Sequence, residues 1–201
     1  MRLYDNGFSS NCRKLRIAAA ELELSLELVT VDPFTGAGRT AEYLAKNPMG
    51  KVPTLEDDGF VLWESTSICD YLASKRPERA LAPVDPRGRA DMWRWLSWYS
   101  MHIQPWMVTL VAELRFKERS GGTPDDGVVE HALRELARFV PVLDAHLTGR
   151  EYVLDRFSVA DICLGVGFES ATFATVDLAP FGNIRAWLTR LQQRPRWERS
   201  R

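Results

Sequence analysis

Cysteine and histidine are scarce in this chain of 201 residues, with three of each. Cys12, Cys69 and Cys163 are odd in number and widely spaced, which excludes a disulfide framework as the scaffold. His102, His131 and His146 show no metal-ligand spacing with cysteines or acids, so no metal is expected. Neither charge sign dominates: 26 basic and 27 acidic residues leave a formal net charge of −1, with no long run of one sign. That argues against nucleic acid or a membrane surface as a partner. No apolar run is long enough to span a bilayer, and the opening "MRLYDNGFSS" lacks the apolar stretch of a signal peptide. A cytoplasmic location is the resulting expectation. Internal repeats and low-complexity tracts are absent too. The glycine-rich "TGAGR" (35–39) matches no P-loop or dinucleotide fingerprint.

What remains is ordinary globular composition, 45% hydrophobic and 26% charged, in a chain long enough for a sizeable core. The first part changes period often. "RLYDN" (2–6) reads as a strand, and Cys12, Leu15, Ala18, Ala19 and Leu22 recur at helical spacing between Ser10 and about Glu23. "LELVTV" (26–31) is a second strand, and "RTAEYLAKN" a weaker helix. "VPTLED" and "FVLW" flank Asp58-Gly59, a strong hairpin signal. A helix is predicted from about Ser65 to Arg76, ended by Pro77. The stretch "PERALAPVDPRG" reads as a linker. Beyond it only helical signals occur, near 88–119, 128–148, 158–174 and 183–194. "FSVADI" (157–162) carries one sharp start signal: Ser158 as N-cap with Asp161 three residues on, and Phe157 and Ile162 placed for a hydrophobic staple. The expected fold is thus an α/β domain (β-α-β-α-β-β-α) over 1–77, a linker at 78–87 and an all-α domain over 88–201.

Four stretches stand in a telling order: "FSSNCRKLR" after the first strand, "NPMGKVPTL", "ES" at 64–65 opening a helix, and "SVAD" in the second half, a structural cap with no catalytic role. Together they resemble the cytosolic glutathione S-transferases, of the serine-using theta-, zeta- and bacterial-like kind, across essentially the whole chain. The resemblance implies a thioredoxin-like first domain and a helical second one. It further implies glutathione as co-substrate, conjugation of its sulfur to a small electrophile, and a homodimer with a role in detoxification. Pro53, a proline inside an apparent strand, would be cis and would turn the main chain of Val52 toward the cysteinyl part of glutathione.

Glutathione chemistry needs the thiolate, and a hydroxyl, main-chain N–H groups and a helix N-terminus can favour that form. Ser9 and Ser10 lie where these converge. In serine-type relatives the active serine precedes a basic residue by four positions and an apolar one by six. Arg13 and Leu15 stand at those offsets from Ser9, which makes Ser9 the candidate catalytic residue and Ser10 or Asn11 the expected N-cap. Whether Ser9 or Ser10 meets the sulfur stays open. By the same resemblance Glu64 and Ser65 would receive the γ-glutamyl end, and Lys51, with Arg39, the glycyl carboxylate. Cys12 lies where a resolving cysteine would in a redox relative, but Ser9 occupies the attacking position, and Cys12 also fits the apolar helix face as a buried residue. Trp95, Trp98, His102 and Trp106 follow helical spacing closely enough to share a face. The resemblance implies that this helix forms a wall of the electrophile site, with Tyr99, His102 and Trp106 as the candidates for a second-substrate pocket. Two other readings remain: a glutathione-dependent isomerase or dehalogenase, disfavoured by Asn11 where zeta-type "SSC" has cysteine, and a non-catalytic interaction protein.

Overall fold

The computed structural model describes residues 1–32 and 35–200. Strand β1 (Arg2–Asp5) is followed by helix α1 (Ser10–Glu21) and by β2 (Glu27–Thr30), which pairs parallel to β1. A 3-10 turn (Ala37–Arg39) and the short helix α2 (Ala41–Lys46) lead to β3 (Thr54–Asp57) and β4 (Phe60–Trp63). These two form the Asp58-Gly59 hairpin, with Gly59 at φ +84° where a side chain would be strained. β3 runs antiparallel to β1, giving the sheet order β2-β1-β3-β4, and α3 (Ser65–Ser74) closes the unit.

Alternation along β1 sends neighbouring side chains to opposite faces. Tyr4 meets Tyr43 of α2 edge-on, with ring centres 5.6 Å apart, over Val31. Leu3 and its cross-strand partner Leu55 are fully buried on the other face. Helices α1 and α3 pack on one another through buried stripes, Cys12, Leu15 and Ala18–Ala19 on one, Ile68, Cys69, Leu72 and Ala73 on the other. Each stripe follows the 3.6-residue period read from the sequence.

The chain divides into two compact units, Met1–Val84 with the segment from Arg194 onward, and Asp85–Gln193. The division lies between Val84 and Asp85, after a 3-10 turn (Pro77–Arg79). The expected helical domain ran through Arg201, which lies outside the described residues. Its last stretch instead joins the first unit. Helix α9 (Pro195–Glu198) packs on α1, Trp197 is fully buried, and Arg194 donates to both carboxylate oxygens of Glu21 at 3.0 and 3.1 Å. That contact spans more than 170 positions of sequence. No local pattern announces it.

The second unit contains α4 (Pro86–His102), α5 (Gln104–Val111), a π-helical continuation (Ala112–Lys117), α6 (Asp126–His146), α7 (Val159–Glu169) and α8 (Gly182–Gln192). The single helix expected over 88–119 is broken at Ile103, because Pro105 has no N–H to continue the ladder. The helix expected over 158–174 stops at Glu169. Its end is closed by Ser170 N–H donating to the Gly167 carbonyl at 3.1 Å and Ala171 N–H to that of Phe168 at 3.0 Å; the turn that follows ends with Val176 N–H on the Ala171 carbonyl at 2.8 Å, with Thr175 left-handed at φ +58°. α7 is buried from Val159 through Phe168 and forms the centre of this unit. Ser158 and Asp161 make the full reciprocal capping box at its start.

Candidate active site

The loop after β1 is shaped by Asn6. Its side chain accepts from Phe8 N–H at 3.1 Å and donates to the Val31 carbonyl at 3.3 Å, and its own carbonyl accepts from Ser9 N–H at 2.9 Å. The chain therefore enters α1 with Ser9 as N-cap, not Ser10 or Asn11. The Ser9 oxygen accepts from Cys12 N–H at 3.3 Å and its carbonyl from Arg13 N–H at 3.0 Å. Cap geometry favours the residue with extended backbone, which Ser9 adopts at φ −79° and ψ 116°. Ser9 is half-buried and Ser10 exposed. Among the described residues the N–H groups of Ser10 and Asn11 make no hydrogen bond. A hydroxyl, two open N–H groups and the positive end of a twelve-residue helix thus converge at one point.

Cys12 lies just inside this cap and is fully buried. Burial pushes its thiol up to about 11, against the opposing influence of the Ser9 hydroxyl and the Asn6 main chain. A thiol so placed stays protonated near neutral pH and is a poor nucleophile.

The second cluster is built around Pro53, whose bond to Val52 is cis. The Lys51 carbonyl accepts from the Tyr43 hydroxyl at 2.7 Å and from Asn47 Nδ2 at 2.8 Å, and both side chains also reach Thr54 Oγ1. The main chain of Val52 forms no hydrogen bond among the described residues. Gly38 and Gly50 touch. A Cβ on Gly38 would stand 2.5 Å from the Gly50 carbonyl oxygen, and one on Gly50, at φ +63°, 3.2 Å from the Arg39 guanidinium. This approach, open only to glycine, brings Arg39 beside the loop that carries Lys51, both cations exposed.

The third cluster is the start of α3. Glu64 is its N-cap residue and holds φ +75° with ψ 110°, a conformation that favours glycine, and its side chain caps nothing. Such a backbone costs about 1–3 kcal/mol in a residue with a side chain. Ser65 is buried, and its hydroxyl donates to Asn11 Oδ1 at 3.3 Å. The first turn of α3 therefore presents N–H groups with an exposed carboxylate beside them. That pattern suits a ligand carrying both a carboxylate and an ammonium. Glu64→Gly is expected to raise the thermal midpoint by relieving the backbone; thermal unfolding checks it, and a fall in midpoint contradicts the strain argument.

The second-substrate candidates all lie in the helical unit and do not form one cluster. Tyr99 is buried between Phe168 and Gly167; a Cβ on Gly167 would stand 1.9 Å from the Tyr99 hydroxyl oxygen. Tyr99 is therefore a core residue with no face on solvent. His102 is exposed and stacks on Phe139 at 4.7 Å, and Trp106, half-buried on α5, meets His131 edge-on at 5.0 Å. Trp95 is buried against Trp98 and His146, so the tryptophan stripe ends in the core at one side and at the Ile103 break on the other. Sequence reasoning missed Phe8. Its side chain is 98% exposed directly beside Ser9, and a lone aromatic in the polar stretch "NGFSS" was the available signal. No group of His, Cys, Asp or Glu among the described residues is arranged to hold a metal. No helix there is long and apolar enough to cross a membrane.

An α/β unit followed by a helical one, with the start of α1 tied to the start of α3 through Asn11 and Ser65 and a cis-proline bond before β3, is the architecture of a thiol-binding transferase. Residues 3–80 match the family described as glutathione S-transferase, N-terminal domain, and residues 99–195 match glutathione S-transferase, C-terminal domain. Glutathione S-transferase 3 of Zea mays is 36% identical over 164 residues, covering 80% of this chain and 73% of that protein. A possible glutathione S-transferase from Rhodopseudomonas palustris superposes with a TM-score of 0.85 at 30% identity, covering 97% of this chain and 87% of that one. Glutathione S-transferase-I bound with lactoylglutathione superposes with a TM-score of 0.86 at 27% identity, covering 99% and 97%. The chain belongs to the glutathione S-transferase family. It is a transferase with glutathione as co-substrate.

Proposed function

We propose that Ser9 holds the glutathione sulfur as a thiolate and that this thiolate attacks a small, apolar or aromatic electrophile. The observation that carries the reading is the position of the Ser9 hydroxyl at the cap of α1, beside the open N–H groups of Ser10 and Asn11. The Ser9 oxygen accepts from Cys12 N–H and keeps its proton for donation to sulfur, so the serine stabilises the anion without acting as a base. In this reading the Val52 main chain pairs with the cysteinyl unit beside Pro53. The Ser65 N–H at the start of α3 receives the γ-glutamyl carboxylate, and Glu64 its ammonium. Lys51 and Arg39 receive the glycyl carboxylate. A C–S bond then forms at the electrophilic carbon while a leaving group departs, or the electron pair moves onto an adjacent acceptor atom.

Phe8 offers an apolar surface next to the sulfur, and we assign it to the electrophile ahead of Tyr99, which is enclosed. A homodimer, a cytoplasmic location and a role in detoxification complete the proposal, supported by family membership. The test is turnover of glutathione with a panel of halonitroarenes, epoxides, isothiocyanates and alkyl halides. Conjugation of at least one class is expected. Glutathione binding with no conjugation across the panel contradicts the transferase reading of this site.

A further inference from the structure

Asn11 is the second residue of α1, in its first turn, and its side chain is not among the groups proposed to touch glutathione. Its Oδ1 accepts two hydrogen bonds, from Lys14 Nζ at 2.9 Å and from Ser65 Oγ at 3.3 Å. An ammonium can only donate, so the amide atom that faces Lys14 is necessarily the oxygen, and the orientation of the amide is fixed. Lys14 is itself 2% exposed, and Ser65 is buried. One anchored amide oxygen thus joins the start of α1, where Ser9 is the cap, to the start of α3, where Ser65 opens the helix. We infer that Asn11 is a positioning residue that sets Ser65 in register with Ser9, so that the γ-glutamyl end and the sulfur of one glutathione are received together. The inference rests on the proposed glutathione site.

The chemistry separates two contributions. As an acceptor, Asn11 holds the Ser65 hydroxyl against the α1 terminus, and the Lys14 ammonium, by polarising the amide oxygen, fixes that acceptor in place. As a neutral group, it adds no negative charge at the helix terminus where the thiolate forms. Aspartate is nearly isosteric and retains the acceptor atoms, but carries a charge that opposes a thiolate. Alanine removes the acceptor and leaves Ser65 and Lys14 each short of one partner.

The experiment measures glutathione affinity by calorimetry and the ultraviolet thiolate absorbance of bound glutathione against pH. It uses wild type, Asn11→Ala, Asn11→Asp, Ser65→Ala and the Asn11→Ala/Ser65→Ala double variant. Asn11→Ala is expected to weaken binding roughly tenfold, with Ser65→Ala adding little in that background. Asn11→Asp is expected to bind within roughly threefold of wild type while its thiolate titration moves to higher pH. A merely structural residue would not separate affinity from titration in this way. Additive losses from Asn11→Ala and Ser65→Ala overturn the inference, as does an Asn11→Asp titration that coincides with wild type. The second criterion stands even where Asn11→Ala fails to fold. Wild type that does not bind glutathione removes the underlying site instead, and that measurement comes first.

Discussion

Ser9→Ala is expected to raise the pKa of enzyme-bound glutathione by about one to two pH units and to lower kcat near neutral pH roughly a hundredfold. The physical basis is the difference between the two states of the sulfur. A neutral thiol gains little from a hydroxyl donor, whereas a thiolate gains a charge-assisted hydrogen bond. The helix terminus and the N–H groups of Ser10 and Asn11 remain in the variant, so the residual shift measures what those groups supply without the hydroxyl. An ultraviolet difference titration reads the thiolate directly, and steady-state rates at low and high pH give the second reading. Because the loss acts through ionisation, the rate deficit should narrow as pH rises toward the free thiol's pKa.

Ser10→Ala supplies the comparison. Ser10 is the exposed first residue of α1, and its side chain is outside the cap geometry. Its removal is expected to leave the titration in place. If Ser10→Ala moves the titration and Ser9→Ala does not, the sulfur contact belongs to Ser10 and Ser9 only caps the helix. Ser9→Ala also removes the acceptor for Cys12 N–H, which costs about 0.5–2 kcal/mol of stability. That cost shifts the unfolding midpoint but not the thiolate absorbance. The two roles of one oxygen are therefore separable.

The first unit was legible because its signals are local. Strand alternation around Leu3 and Tyr4, the Asp58-Gly59 hairpin and the apolar stripe through Cys12, Leu15 and Ala18 each need fewer than fifteen residues of context. The capping box at Ser158 and Asp161 is local too. Three features were not readable in that way. The identity of the α1 cap depended on how Asn6 bends the preceding loop, a matter of three hydrogen bonds and not of propensity. The Gly38–Gly50 approach, which brings Arg39 beside the Lys51 loop, joins residues that share no periodic relation. The return of α9 to α1 through Trp197 and the Arg194–Glu21 pair is a tertiary contact between the chain's two ends. Tyr99 entered as a pocket candidate through the family resemblance alone; a resemblance names a helix and not what covers each of its residues, and the glycine at 167 lets the Tyr99 ring sink into the core.

Asp161→Ala is expected to be the most destabilising single change in the helical unit, by about 3–5 kcal/mol. The carboxylate accepts from Val153 N–H at 2.8 Å, Trp187 Nε1–H at 2.9 Å, Ser158 N–H at 2.9 Å and the Ser158 hydroxyl at 3.0 Å. All of these groups are buried, so alanine leaves several donors without an acceptor or water. Trp187 is also fully buried, and it would keep its packing while losing its indole partner. A second experiment uses pH. Burial pushes the Asp161 carboxyl up from 3.8 to about 6, and the hydrogen bonds oppose that rise only in part. A carboxyl whose folded pKa lies above its unfolded value contributes stability that is complete below the unfolded pKa. That contribution is lost as pH rises through the folded one. For this group the loss between about pH 4 and pH 7 is on the order of 3 kcal/mol. Asp161→Asn cannot titrate, so its stability deficit relative to wild type should be largest near pH 4 and shrink toward pH 7. Urea unfolding of both proteins across that interval decides it. A deficit that is constant, or that grows with pH, means the carboxylate's four donors outweigh its burial and the group is ionised throughout.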